Sequence, residues 1–313
     1  AGEGKTPGYN HKIPEKIMTP DEVETRFGTM KFFDGMPDKA TVERLYDNLD
    51  VLRGVETFLN GVPATSIEGL RLGQLDLGAD TSNKVILLDQ LMDSAPLFLT
   101  GNTDTVYGSA FLHLGTDGPT VVEIPARTGP GTVNDAYFRF VTDMGAPGPD
   151  RGRGGKYLIL PPDYKGDLYP PVGGMEAEVD GEKYFVSKST SYVNWLILRG
   201  FLVDGKPDAA VASFKNGLKI YPLSKRANPP KMEFISGSRK SWNTIHANNF
   251  EFYKELHTVI DREPTSMLDP ELLGLFASIG IEKGKPFAPD ARMKKLLTEA
   301  VAVGNATARA MIF

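Results

Sequence analysis

Asn102, Thr103, Asp104, Thr105 and Tyr107 crowd the decapeptide GNTDTVYGSA, residues 101–110, directly before an apolar run. Such a set supports acid–base chemistry: a carboxylate raised in pKa by burial is a general acid or base, and a tyrosine hydroxyl is a second proton donor. Asp104 and Tyr107 are therefore candidate catalytic residues, with Asn102 beside them as a candidate substrate ligand. The same residue types also make turns, Asn102 and Asp104 closing Asx turns and Thr105 bonding backbone ahead of a strand. Asp143 ends the run YFRFVTD just before a glycine-rich loop and is a third candidate acid or base. Arg199 closes the apolar run NWLILR, which also carries Trp195. A guanidinium there is costly unless it meets a carboxylate. Asp104 and Asp143 are the internal candidates and a ligand acid the external one, so Arg199 and Trp195 are candidate substrate-binding residues. His113, set between leucines in AFLHLGT, reads as a half-buried strand histidine and as a further binding candidate.

Other chemistries are excluded. The chain has no cysteine, which removes disulfides, thiolate nucleophiles, iron–sulfur clusters and cysteine-ligated zinc. The loop GAPGPDRGRGGKY fails the phosphate-loop pattern twice, because Tyr157 follows Gly155-Lys156 and Asp150 stands at the first glycine position. It also lies between strands, so no helix N-terminus faces an anion, and a structural turn is expected. No GxSxG, SxxK or HExxH occurs. His246 and His257, read on one helix, would stand roughly 16 Å apart and could not share a metal. No metal site and no cofactor are expected. With 35 basic against 40 acidic residues, net charge −5, no nucleic-acid footprint is present. No run of apolar residues is long enough to cross a membrane. The N-terminus AGEGKTPGYNHKIPEK is polar, lacks the apolar stretch of a signal peptide, and reads as a mature end left after cleavage.

The elements that must position these residues divide the 313-residue chain into an extended arm over 1–18, N-terminal helices over 19–78, a β-rich domain over 79–230 and a C-terminal helical region over 231–313. TPDEVETRF reads as a capped helix start, with Thr19, Pro20 and Glu22 in capping-box spacing. Val42, Leu45, Leu49, Leu52, Val55 and Leu59 form a helical stripe that Asn60-Gly61 should stop, with a shorter helix from Pro63 to about Leu72. AFLHLGT, TVVEIPA, AYFRFVTD, KYLILPP, KYFVSKS, VNWLILRGFLV and LKIYPL read as strands separated by turn signals. The fold class is α+β: an antiparallel β-sandwich or barrel-like domain flanked by N-terminal and C-terminal helices. SWNTIHANNFEFYKELHTVIDREP, LDPELLGLFASIG and APDARMKKLLTEAVAVGNATARAMIF read as the final helices. The last leaves Met311, Ile312 and Phe313 uncapped and apolar, so a companion domain or chain, or a further copy in a homo-oligomer, is expected to cover them.

Several of these segments together resemble one family. GNTDTVYGSAFLHLGTDGPTVVEIP, then YFRFVTDMGAPGPDRGRGGKYLILPPDYKGDLYPP, STSYVNWLILRGFLVDGKPD and LKIYPL are similar in order and spacing to the bacterial domain-of-unknown-function family numbered twelve fifty-four. The resemblance covers roughly residues 20–225 and extends more loosely through the final helices. It implies an exported protein, periplasmic or secreted, in which this domain and its helices are followed by a second β-rich domain. It implies no settled activity. The residues leave two functions open: a module that binds a small apolar or aromatic molecule or serves in an assembly, and a cysteine-free hydrolase or lyase using Asp104 or Asp143 with Tyr107 and Arg199.

Overall fold

The computed structural model describes residues 8, 11–168 and 176–313. Half of the expected arm (1–7, 9 and 10) and Tyr169–Pro171 of the family-like segment lie outside the described residues.

The capped helix expected at TPDEVETRF is a strand. β1 (Glu22–Thr25) pairs antiparallel with β2 (Gly28–Phe33), Glu22 facing Lys31 and Thr25 facing Gly28. β2 turns back onto β3 (Met36–Pro37). Capping-box spacing is a local preference, and a helix here would have had only Val23 and Phe27 to bury. The hairpin gains a ladder and a bond of 2.8 Å from the Thr25 hydroxyl to the Gly28 carbonyl.

α1 (Lys39–Asp76) is one helix of 38 residues, started by Asp38, whose Oδ1 accepts from Thr41 N at 2.7 Å. The expected stop at Asn60-Gly61 is not taken, and Pro63 lies inside the helix. Gly61 is there for close packing: a Cβ would come 2.9 Å from Leu256 Cδ2. Pro63 forfeits one backbone donor, and the Thr65 hydroxyl bonds the Gly61 and Val62 carbonyls in the same turn. Tertiary packing here overrides two local stop signals.

The remaining elements follow in order: β4 (Lys84–Leu88), β5 (Pro96–Leu97), β6 (Val106–His113), the short α2 (Leu114–Asp117), β7 (Thr120–Ile124), β8 (Thr128–Asn134), β9 (Phe140–Met144), β10 (Gly155–Leu160), β11 (Glu176–Val179), β12 (Glu182–Lys188), β13 (Val193–Gly200), α3 (Asp208–Gly217), β14 (Lys219–Pro222), β15 (Glu233–Ser236), β16 (Trp242–Asn243), α4 (Glu251–Arg262), α5 (Pro270–Ala277) and α6 (Ala291–Ala310). Two sheets dominate, one ordered β15-β4-β6-β13-β8-β9 and the other β11-β12-β10-β7-β14. Leu112, Val133 and Leu198 from the first interleave with Val122, Tyr157 and Ile220 from the second around Phe214 of α3 in one core. Neither sheet closes on itself, so the α+β reading holds as a sandwich and not as a barrel. The ladders are antiparallel except β10 with β12, β15 with β4 and β16 with β5. β15 and β16 arise from the stretch expected to be wholly helical.

The outer face of the first sheet receives α1, whose Ile67 and Leu70 pack on Phe111, Val193 and Trp195. The other half of α1 packs on α4 and α6 through Phe58, Phe252, Leu297 and Val301. α4 begins at Glu251, not near Ser241, so His246 sits in the preceding loop while His257 is helical. On α4, burial first, then the charges of Glu68 and Glu251, push the Glu255 carboxyl up to about 7, against the hydrogen bond from Ala247 N. Its folded value lies above its unfolded value, so the stability tied to its proton is present below pH 4.5 and is lost as pH rises through 7. Glu255→Gln keeps an acceptor for Ala247 N. It is expected to raise the melting temperature at pH 8 by a few degrees and to leave it nearly unchanged at pH 4.5, as read by calorimetry; equal shifts at both values would remove the charge from the explanation.

Candidate functional site

Strand register brings the site together. Across β6 and β13, Tyr107 stands opposite Arg199 and Phe111 opposite Trp195. Across β13 and β8, Trp195 stands opposite Asn134 and Ile197 opposite Thr132, and Thr132 in turn faces Asp143 of β9. Side chains alternate along each strand, so Tyr107, Trp195, Ile197, Arg199, Thr132, Asn134 and Asp143 share the outer face. Beyond the reach of α1 they floor a cleft of about 320 Å³, walled by Phe98, Thr100, Phe138, Pro130 and Pro147.

Two wall residues are held in left-handed backbone, Thr100 at φ 61 and Phe138 at φ 62. For β-branched Thr100 this conformation is a genuine outlier, of a kind that gathers at ligand sites. Phe138 is held by the buried Asp135 carboxylate, which accepts from Tyr137 N and Arg139 N at 2.9 Å and from the Thr190 hydroxyl at 2.6 Å. The resulting tight loop lays Phe138 edge-on to Trp195, ring centroids 5.7 Å apart. Trp195 is fixed from below, its Nε1 donating to Ser109 Oγ at 2.8 Å, and Gln74 Nε2 of α1 donates to the same oxygen at 2.6 Å.

The polar groups of the cleft are sparse. Half-buried Arg199 makes no ion pair and no side-chain hydrogen bond among the described residues; its guanidinium lies 5.7 Å from the Tyr107 ring centroid. Asp143 also lines the cleft, and its carboxylate is unpaired among the described residues. The Tyr107 hydroxyl accepts from Asn102 N at 3.0 Å, which leaves its own proton to donate.

Other expected site residues fall elsewhere. Asn102 Oδ1 accepts from Asp104 N and from the Thr105 hydroxyl, both at 3.0 Å, which is an Asx turn. Asp104 is exposed in that turn, its Oδ1 3.4 Å from the Thr103 hydroxyl, and does not line the cleft. An exposed carboxylate on a tight turn lacks the burial that acid–base work needs. His113 ends β6 far from Tyr107, roughly 20 Å at strand rise. Burial holds its pKa below the ordinary histidine value, Arg71 and Arg262 add to the lowering, and Asp117 opposes it. The sequence reasoning missed Phe98, Thr100, Thr132, Asn134 and Phe138. Positive φ at Thr100 and Phe138 leaves no mark in composition.

The glycine-rich loop after β9 is a structural turn, as expected, built round its own anion. Asp150, buried, accepts from Gly145 N at 2.8 Å and from Gly152 N and Gly154 N at 3.1 Å, and also from the Tyr157 hydroxyl. Burial, then the bond to Asp150, pushes the Tyr157 hydroxyl well above the ordinary tyrosine value. The loop amides that would cradle a phosphate are already taken. No group of three or more metal-ligating side chains occurs among the described residues, and no described helix is long and apolar enough to cross a membrane.

The strands flooring the cleft fall in a segment with known kin. Residues 82–222 match the model of the family described as Protein of unknown function (DUF1254). The match spans β4 to β14, including Tyr107, Asp143, Trp195 and Arg199; residues 20–81, part of the wider resemblance, lie outside it. No curated protein matches the chain. The fold is similar to the crystal structure of the VPA0106 protein from Vibrio parahaemolyticus, with a TM-score of 0.56 and 14% identity over 84% of this chain. The chain spans 59% of that protein's length, and at such identity the likeness is one of fold alone.

Proposed function

We propose that the cleft binds a small aromatic molecule bearing a carboxylate. The observation that carries this is Arg199: a half-buried guanidinium, unpaired among the described residues, at the floor of a cleft walled by Trp195, Phe98 and Phe138. An unpaired cation in an apolar setting is costly, and a ligand acid would offset that cost. Ring faces take an aromatic body, while the Tyr107 hydroxyl and Asn134 supply orientation. The test is calorimetric titration with benzoate, cinnamate and indole-3-acetate against their amides. The acids are expected to bind better, and Arg199→Gln to weaken them by about 10–100-fold while leaving the amides unchanged. Acids and amides binding alike to both proteins would end the reading.

Asp143 and Tyr107 in the same cleft support a second reading, a hydrolase or lyase with Asp143 as base and Tyr107 as proton donor. Turnover of esters or hydroxy acids of the same bodies, lost in Asp143→Asn, would support it; binding without turnover leaves the module. A periplasmic or secreted location belongs to this proposal and is open to cell fractionation. So does a partner, whether companion domain or chain or further copy, over Met311, Ile312 and Phe313. Its support is exposed apolar surface there and on Leu45, Tyr46, Leu49 and Leu52 of α1.

A further inference from the structure

A second cavity, about 560 Å³, lies between α3 and the loops that precede β8 and follow β9. Its walls are small and apolar: Ala126, Ala146, Gly152 and Gly200, with Ala209 and Ala210 of α3. Its inner end reaches Ala210 and Phe214, which belong to the core between the two sheets. At its mouth Phe201 and Val203 are each 54% exposed. Among the described residues that line it, none is acidic and one, Arg127, is charged. Arg127 makes no ion pair among the described residues, nor does Arg151, which adjoins the lining Gly152. Arg127 N donates to Gly152 O at 2.8 Å, so the two arginines share one lip. On the α3 lip Asp204 and Asp208 adjoin Val203 and Ala209, with Lys206 between them bonded through its N to Val203 O at 3.0 Å, so two acids stand there against one base. The charges thus differ across the groove.

We propose that this groove binds a free alkyl carboxylate, its chain laid along the alanine and glycine walls and its head on the arginine lip. The walls offer little to orient a polar ligand: the Thr128 hydroxyl donates to Pro125 O at 2.7 Å, and the half-buried Ser213 of α3 adds one further hydroxyl. Recognition therefore comes from apolar area, which grows with chain length, and from the sign of the head group, which the two lips set. The site is separate from the cleft holding Arg199, and it stands whether or not that cleft binds aromatic acids.

The test is calorimetric titration of the whole chain with octanoate, decanoate and dodecanoate, below their micelle concentrations, and with decanol. One saturable site is expected, tightening about threefold per methylene, with decanol weaker than decanoate. Arg127 sits at φ 66, where glycine is comfortable, so Arg127→Gly tests the head group without backbone strain. It should weaken decanoate about fivefold and leave decanol unchanged. Exposed Ala209→Trp should fill the groove and abolish both at unchanged melting temperature, while Arg199→Gln should alter neither. Absence of saturation, binding insensitive to chain length, or full binding by Ala209→Trp would each overturn the proposal. Loss of decanoate binding in Arg199→Gln would place the ligand in the other cleft and overturn it too.

Discussion

Asp150→Ala is expected to lower the melting temperature by about 8 °C, corresponding to about 3–5 kcal/mol. The Asp150 carboxylate is the acceptor for three backbone N–H groups and one tyrosine hydroxyl. Truncation leaves those donors facing a void, and an unmade buried hydrogen bond costs more than a made one contributes. Water can reach the outer part of the loop and soften the loss, but Asp150 itself is only 2% exposed. Asp150→Asn separates charge from shape. Both carboxylate oxygens accept, Oδ1 from Gly145 N and the Tyr157 hydroxyl and Oδ2 from Gly152 N and Gly154 N. An amide therefore turns one acceptor into a donor aimed at donors, in either orientation. The asparagine variant should melt nearly as early as the alanine variant despite its matching volume. The loop also brings Pro147 to the aromatic cleft and Gly152 to the apolar groove, so both variants should weaken ligand binding at each. A variant melting within about 2 °C of the parent would show that the glycines, not the anion, hold the loop.

How much of this was legible depended on whether a signal was local. The strands around Phe111, Val122, Ile159 and Leu196 follow from apolar and β-branched runs bounded by turn residues, and these runs became sandwich strands. Pro270 at the start of α5, Gly280 beyond its end and Pro264 after α4 are punctuation that needs no tertiary partner, although Asp269 makes no side-chain capping bond. The β8 segment TGPGTVN has the composition of a turn. Its glycines serve the ladder instead: a Cβ on Gly131 would come 2.5 Å from Leu198 Cδ2. The two-helix reading of α1 failed for the same reason, since Gly61 answers to α4 and not to its own neighbours in sequence. At the site, Arg199 could be singled out because a charge in an apolar strand is an anomaly within a few residues. Its neighbourhood with Tyr107, Asp143 and Trp195 depends on pairing across four strands, which one-dimensional spacing does not encode. Asp104 attracted attention by its crowded setting, yet that crowding is the Asx turn that lets Asn102 N reach the Tyr107 hydroxyl.

Glu68→Ala should be as damaging as loss of Asp150, about 3–5 kcal/mol, for a different reason. Glu68 of α1 is 1% exposed and is held by two guanidiniums. Arg71 donates to it through Nε at 2.9 Å and Nη2 at 2.6 Å, and Arg262 of α4 through Nη1 at 3.0 Å. Arg262 also donates to Glu263 at 3.0 Å, and Glu263 accepts from Tyr192 N at 2.6 Å and Val193 N at 3.2 Å where β13 begins. One chain of charges thus ties α1 and α4 to the strand that carries Trp195 and Arg199. Arg262 Nη2 has no partner within it, so the network has no spare acceptor to lend when Glu68 is removed. Burial acts to raise the Glu68 carboxyl, but the Arg71 hydrogen bond and the charges of Arg262 and Arg71 outweigh it and hold the group below the ordinary glutamate value. The folded value lies below the unfolded one, so this stabilisation is present above pH 4.5 and is lost as pH falls through the folded value. Thermal melts of the parent protein should therefore fall on acidification below pH 4.5, and those of Glu68→Gln should fall less steeply there while starting lower at pH 7. Parallel acid profiles for parent and variant would mean that Glu68 acts through packing alone, and that the link from α1 to the cleft floor is apolar.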